Sequence, residues 1–466
     1  MTTFVIVGGD AAGMSAASKA KREDPDMDVV VFEKGAWVSY AACGMPYYIK
    51  GEIETIDDLV QVTPDAFREE RDIDLRTNHE VVAIDTDAQT VTVEGPDGTF
   101  EQPYDDLLVA TGAHAIVPPF EGRDLDGVYT LHDLDSAEEL RGIVDGRVPE
   151  EHAGYGSEAD SYADHVETVA VVGGGYVGLE MAEAFRARGL DVHLFEMLPH
   201  VLQPFGEAVA PTVEEHLREQ GVHLHLDTAV DRFHGANGHV VSLDADGEEY
   251  DVDLVLLGVG VAPNSDLAAD AGIAVGESGA VATDEYGRTN VEHVYAAGDC
   301  AESRHAVTGE PDHVPLALTA NRAGRAIGQT VTGDPEPVGD IVGTAVVKVF
   351  DLAVARTGIV DEDEAREHGF DPVSVTITGS SRAHYYPDAQ ELEIHMVGDR
   401  ESGKLLGASM VGREGVAKRI DTVATALHAG MTVGEVEGLD LAYAPPFSPV
   451  WDPVLTAAKV LGGKLD

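Results

Sequence analysis

Two stretches of this chain, 165 positions apart, are built on one plan, and that repeat constrains the fold more than any other feature. The first starts with an apolar run at 4–7. It continues through Gly8-Gly9-Asp10-Ala11-Ala12-Gly13, a helical stretch to about residue 22, a second apolar run at 29–32, and Glu33. The second starts at 169–172 and continues through Gly173-Gly174-Gly175-Tyr176-Val177-Gly178, a helix to about residue 189, the run 192–195, and Glu196. Each is a strand, glycine turn, helix, strand, acid unit. In such a unit the first glycine makes the turn, the free N–H groups of the helix N-terminus suit a pyrophosphate, and an acid about 20 residues on accepts from ribose hydroxyls. Gly13 to Glu33 is 20 residues and Gly178 to Glu196 is 18. The second copy has all three glycines. In the first, Asp10 stands at the middle position, where its side chain has to turn away from a bound dinucleotide.

Further strand-and-glycine junctions close each unit: residues 107–110 before Thr111 and Gly112, residues 254–260, and residues 294–297 before Gly298 and Asp299. From about residue 335 the pattern changes. Segments 344–350 and 373–377 read as strands, 362–368 and 415–430 as helices, and no phosphate-binding glycine turn is present. A length of 466 residues at about 150 per domain agrees with three domains, and 44% hydrophobic content supplies each with a core. The polar, glycine-containing stretch 147–166 reads as an acidic surface loop.

The charge is −55, from 85 acidic and 30 basic residues, and only nine of the basic residues are lysine. Such a surface repels nucleic acid. The acids are spread through every segment, which points to a whole-surface adaptation to molar salt, where the Debye length is about 3 Å and self-repulsion is screened. Lowering the salt to about 0.1 M lengthens screening to ~10 Å, so thermal melts across a KCl series should show Tm falling and the fold failing in dilute buffer. An unchanged Tm would refute the adaptation. No apolar run approaches the ~18 residues of a membrane span, and no basic region precedes the opening apolar stretch. Two cysteines, Cys43 and Cys300, are too few for a disulfide framework. A cytoplasmic protein is expected. The His223 and His225 pair alternates on a strand with no third ligand in view, so no metal is expected.

Over the whole chain this order of motifs resembles the pyridine nucleotide-disulfide oxidoreductases. The resemblance implies an α/β fold with two Rossmann-like dinucleotide-binding domains, glutathione-reductase-like, and an α+β C-terminal dimerisation domain. It implies an FAD-binding domain at 1–114 and 263–334, an NAD(P)H-binding domain at 115–262, and a dimerisation domain at 335–466 that forms a homodimer. By the same resemblance Gly8, Gly9, Ala12, Gly13, Glu33, Thr111, Gly112 and Asp299 contact FAD. Gly173, Gly175, Gly178 and Glu196 contact NADH or NADPH. Glu196 has no arginine or lysine in the six residues after it, which favours NADH.

Cys43 sits in SYAACGMPYYIKG, ten residues beyond Glu33. A helix beginning near it is expected to lower its pKa. The family's usual CxxxxC pair is absent, since Tyr48 stands five residues on, and Cys300 reads as a packing residue. The segment resembles the single-cysteine subgroup of coenzyme A-disulfide reductases, NADH oxidases and peroxidases, and persulfide or polysulfide reductases. The motif 443–448, YAPPFS, and the segment HYYP at 384–387 resemble tyrosines that reach a partner subunit's cysteine in coenzyme A-disulfide reductases, which assigns catalytic roles to Tyr443 and Tyr385. Ser15, Lys19, Arg22, Ser39 and Arg71 resemble that group's coenzyme A contacts. The implied reaction is FAD-dependent reduction of coenzyme A disulfide by NAD(P)H through a mixed disulfide on Cys43. NADH oxidase or peroxidase activity through a Cys43 sulfenic acid, persulfide or polysulfide reduction, and a flavin redox sensor remain as alternatives.

Overall fold

The computed structural model describes residues 2–146 and 166–465, so the expected acidic loop at 147–166 lies outside the described residues except for its last position. A five-stranded parallel sheet is ordered Val294–Ala296, Asp106–Val109, Thr3–Val7, Asp28–Glu33, Asp74–Thr77. A second is ordered Val222–His225, Asp191–Phe195, Thr168–Val172, Leu254–Leu257, Val128–Thr130. Parallel strands need crossovers, and helices Ala11–Glu23 and Tyr176–Ala187 supply the first crossover of each unit. The central strands are buried on both faces, which is why they read as unbroken apolar runs. Each unit also carries a three-stranded antiparallel meander: Glu80–Asp85, Thr90–Gly95 and Gly98–Pro103 in the first, Val230–Ala236, His239–Ala245 and Glu248–Asp251 in the second.

The repeat extends to single hydrogen bonds. Gly8 N–H donates to Phe32 O at 2.9 Å, and Gly173 N–H to Phe195 O at 2.8 Å. Ser39 N–H donates to Gly9 O at 3.1 Å, and Leu202 N–H to Gly174 O at 2.9 Å. Ser39 and Leu202 both adopt left-handed backbone, with φ of 49° and 52°. A Cβ on Gly13 would lie 1.9 Å from Gly8 O, and one on Gly178 would lie 1.9 Å from Gly173 O, so the third glycine lets each helix sit against its own turn. After Ser39 and Leu202 the copies diverge. The first continues into the loop that carries Cys43, the second into a 3-10 turn, Gln203–Phe205.

Beyond residue 340 a five-stranded antiparallel sheet is ordered Ala345–Val349, Leu352–Gly358, Leu405–Gly412, Glu391–Asp399, Pro372–Ser380. Helices Val416–His428 and Pro453–Leu465 pack on it, burying Ile420, Val423, Ala457 and Leu461. A buried ion pair, Arg419 Nε to Asp452 Oδ2 at 3.0 Å, joins these two helices, and Arg419 Nη2 donates to Ser381 O at 2.9 Å. A second buried carboxylate, Glu183, links three parts of the chain. It accepts from Lys50 at 2.7 Å, from Lys348, and from Phe350 N–H at 2.5 Å. Removing the carboxylate would leave Lys348 without its ion-pair partner and Lys50 with Glu52 alone, so this contact fixes the helix after Cys43 against the second unit and the C-terminal sheet. Among the described residues no helix is long and apolar enough to cross a membrane.

Candidate active site

The two acids that end the repeat are held identically. Glu33 accepts from Gly9 N–H at 2.8 Å and Gly35 N–H at 2.7 Å; Glu196 accepts from Gly174 N–H at 2.7 Å and Leu198 N–H at 2.8 Å. Each carboxylate is thus aimed by its own glycine turn, with lone pairs left for hydroxyl donors. Helices Ala11–Glu23 and Tyr176–Ala187 both start without a side-chain cap, so their first N–H groups remain free to meet an anion. A Cβ on Gly175 would meet nothing within 4 Å, which is the open approach a dinucleotide backbone requires. Asp10 Oδ1 accepts from Tyr40 N–H at 3.2 Å, on the loop that leads to Cys43. Burial, with Glu33 and Asp299 beside it, raises its pKa to about 6.

Ala12 is buried, with its side chain against Gly298 and its backbone against Gly324, so the first helix and helix Ala317–Thr330 pack closely there. Thr111 Oγ1 donates to Asn264 O at 2.6 Å and Asn264 Nδ2 returns a bond to Thr111 O at 2.8 Å, while Gly112 takes a left-handed φ of 69°. Asp299 follows the glycine that contacts Ala12, and burial raises its carboxyl above the usual range. These residues come together around the first turn although they lie up to about 290 positions apart.

Cys43 is exposed, in a 3-10 turn, Ala42–Gly44, followed by the six-residue helix Met45–Lys50. The expected lowering of its pKa is overturned. Although the residue reaches solvent, the protein packed about its sulfur pushes the thiol pKa up, and the charges of Glu180 and Asp299 add to this. A short turn offers too little dipole to offset burial and two carboxylates. Glu180 was not foreseen from the sequence. It lies in the helix of the second unit and accepts from Tyr47 Oη at 2.9 Å, and Tyr47 is four residues beyond Cys43. Glu180→Gln keeps this acceptor and removes the charge, so the thiol pKa falls and the alkaline rise of alkylation rate at Cys43 moves to lower pH. Iodoacetamide labelling across a pH series measures it, and an unmoved profile would show that Glu180 does not set the thiol.

Cys300 is fully buried among core residues, its Sγ 3.4 Å from Ala297 O and 3.5 Å from Val109 O. Tyr385 and Tyr443 are exposed, at 65% and 47%, and the neighbouring Tyr443 hydroxyl raises the Tyr385 phenol above its usual value. Ala383 N–H to Pro445 O at 3.1 Å ties their two segments together. Phe447, Val450 and Trp451 are also exposed in this C-terminal segment. On the first helix Ser15 Oγ donates to Asn321 Oδ1 at 2.6 Å, Lys19 is buried with its ammonium on Glu23, and Arg22 is exposed. Arg71 donates to Ser18 Oγ at 2.8 Å and lies 4.8 Å over the Phe67 ring. Lys19 is therefore already paired, and an incoming phosphate there competes with a carboxylate.

Two dinucleotide-type units on parallel sheets, a single exposed thiol and an antiparallel C-terminal sheet define an α/β oxidoreductase of the two-dinucleotide class. The chain belongs to the pyridine nucleotide-disulphide oxidoreductase family, whose model matches residues 2–324, and the family's dimerisation domain matches 344–453. This is a family of FAD- and NAD(P)H-dependent oxidoreductases that includes disulfide and persulfide reductases and NADH oxidases. The chain is 41% identical over 458 residues, 98% of each chain, to an NAD(P)H coenzyme A polysulfide/persulfide reductase of Pyrococcus horikoshii. It is 31% identical over 451 residues, 96% of each chain, to a coenzyme A disulfide reductase of Staphylococcus haemolyticus. Among solved structures, the NAD-dependent persulfide reductase from A. fulgidus superimposes with a TM-score of 0.93 at 37% identity, over 99% of this chain and 83% of that one.

Proposed function

We propose that this protein is an NAD(P)H-dependent reductase of sulfur–sulfur bonds carried by coenzyme A, with Cys43 as its one redox-active thiol. The observation that carries this reading is an exposed cysteine on the loop by which the first dinucleotide unit departs from its otherwise matching second copy. The Cys43 thiolate attacks the coenzyme A sulfur of the substrate, forming a Cys43–S–S–CoA mixed disulfide. From coenzyme A disulfide the leaving group is the second CoA thiolate. Two electrons and a proton then return Cys43 to the thiolate and release CoASH. The same attack on a coenzyme A persulfide forms the same mixed disulfide and releases hydrosulfide. The names of the Pyrococcus and A. fulgidus relatives favour this second substrate class. NADH oxidation through a Cys43 sulfenic acid remains an outcome of the test below.

FAD, when bound, supplies the two-electron chemistry between nicotinamide and sulfur. In this reading the turn from Gly8 to Gly13, with Ala12 at its helix start, receives the FAD pyrophosphate, and Glu33 takes ribose hydroxyls. Thr111, Gly112 and Asp299 complete the cradle, which fits residues 1–114 and 263–334 as one FAD domain. Gly173, Gly175, Gly178 and Glu196 do the same for NAD(P)H in 115–262. Ser15, Ser39, Arg22, Arg71 and Lys19 hold coenzyme A, with Arg22 and Arg71 as cations for its phosphates. The exposed apolar segment around Phe447, Val450 and Trp451 is where residues 335–466 form the homodimer, and the partner subunit's Tyr443 and Tyr385 face Cys43. A cytoplasmic setting with molar salt completes the proposal.

Mass spectrometry of the purified protein, with and without reductant, tests the thiol role. A labile coenzyme A adduct on the Cys43 peptide is expected, and sulfenic acid alone would favour the oxidase reading. The ratio of kcat/KM for coenzyme A disulfide and coenzyme A persulfide then decides between the two substrates. For the electron donor, NADH is expected over NADPH. The residues after Glu196 are the exposed Met197 and Leu198, and His200 is held by Glu214 at 2.9 Å, so these positions offer no free cation for a 2′-phosphate. Glu196→Ser should move the NADH to NADPH ratio of kcat/KM toward NADPH by about tenfold, ~1.4 kcal/mol. A wild-type preference for NADPH would remove Glu196 as the selector.

A further inference from the structure

We infer that Asp191, His193 and His223 form a binding site for a borderline divalent metal ion such as Zn²⁺ at the edge of the second parallel sheet, with His225 holding the His193 ring from behind. Strands Asp191–Phe195 and Val222–His225 are adjacent and parallel, with His193 opposite His223 and Phe195 opposite His225. Strand side chains alternate with period two, so Asp191, His193, Phe195, His223 and His225 share one face, while Val192, Leu194 and Val222 fill the core behind. The sequence shows only the two histidines of one strand. The partners that complete the set are 32 residues earlier and arrive through strand pairing.

One ligand atom from each of Asp191, His193 and His223 lies within 4.8 Å of the others. His223 Nε2 is 3.1 Å from Asp191 Oδ1, and His193 Nε2 is 4.0 Å from Asp191 Oδ2, so both imidazoles present the same nitrogen to one carboxylate. His193 Nδ1 lies 3.1 Å from His225 Nε2. With the proton of that bond on His193, its Nε2 carries a lone pair directed at the Asp191 side. A metal-binding histidine characteristically gives its other N–H to an acceptor in this way. The His193 and His225 rings are fixed by packing: His225 stacks on Phe195 at 4.5 Å, and Tyr250 meets His225 edge-on at 5.0 Å. Asp191 and His223 are about half exposed, at 50% and 54%, which leaves solvent access for entry and for the remaining coordination positions.

Two imidazoles and one carboxylate suit Zn²⁺, Co²⁺ or Ni²⁺, whereas Mg²⁺ and Ca²⁺ call for oxygen donors alone. A bound ion joins the edge strand to its neighbour and stabilises the folded unit by mass action.

Chelator-treated Cys43→Ser protein, in which the reactive thiol cannot supply a ligand, should bind one Zn²⁺ per chain by calorimetry at the working salt. His193→Gln and His223→Gln should each weaken binding at least tenfold and abolish the Zn²⁺-dependent rise in Tm. Position 223 is exposed, so that variant reports on binding without disturbing the core. Zinc-edge absorption should show nitrogen and oxygen neighbours at about 2.0–2.1 Å and no sulfur at about 2.3 Å. Zn²⁺ stoichiometry and affinity unchanged in both histidine variants, displacement by equimolar Mg²⁺, or a sulfur shell would overturn the site.

Discussion

Cys43→Ser is expected to lose reduction of coenzyme A disulfide or persulfide by at least ~10³-fold while retaining FAD and NADH-dependent oxygen consumption. The size of the effect follows from the cysteine count. Cys300 is the other thiol of the chain, and it is buried in the core. A serine hydroxyl at position 43 is a far weaker nucleophile at neutral pH and forms no disulfide. Cys300→Ser is the matched control. A hydroxyl there finds the same two carbonyl acceptors that the thiol now faces, so turnover should change less than about twofold. Stopped-flow and steady-state assays of both variants decide the matter. Equal losses in the two would remove Cys43 from its assigned role.

The double substitution Tyr385→Phe with Tyr443→Phe is expected to slow sulfur–sulfur reduction by the ~10²–10⁴ of a lost general acid while leaving the dimer intact. The two phenols are neighbours and both reach solvent, so neither is committed to the core. A thiolate leaving group needs a proton or a hydrogen bond, and the pair supplies two neighbouring donors. Each single change should cost less than the double, because the remaining phenol is already in place. Sedimentation equilibrium separates loss of assembly from loss of chemistry. A double variant with wild-type kcat would make these tyrosines packing residues of the interface.

Much of the fold was legible because its signals are local. An apolar run of four or five residues followed by glycine, a helix and an acid 18 to 20 positions on is set by strand length, turn geometry and helix rise, all short-range properties. The antiparallel meanders were missed. Their strands, such as Thr90–Gly95, are half-exposed and alternate, a weaker signal than the buried parallel strands. Asp10 at the middle glycine position was also readable as a side chain that crowds a dinucleotide unless it turns aside, whereas its bond to Tyr40 N–H came from the fold.

The site was legible as residue types and only partly as chemistry. The cysteine, the two tyrosines and the acids at 33 and 196 announce themselves in sequence, whereas a pKa is a sum over neighbours that the sequence does not place. Burial, with the charges of Asp299 and of Glu180 from 137 positions away adding to it, reversed the expected direction of the thiol shift. In the same way strand pairing set Asp191 and His193 beside His223, and the loop contact between Ala383 and Pro445 joined Tyr385 to Tyr443. The sequence by itself determined the duplicated α/β units, the lone cysteine in the loop after the first unit and the acidic surface, because each depends on neighbours along the chain. Tertiary structure decided the electrostatics of Cys43, the pairing of the phenols and the histidine cluster, because each depends on groups that only packing brings within a few ångströms.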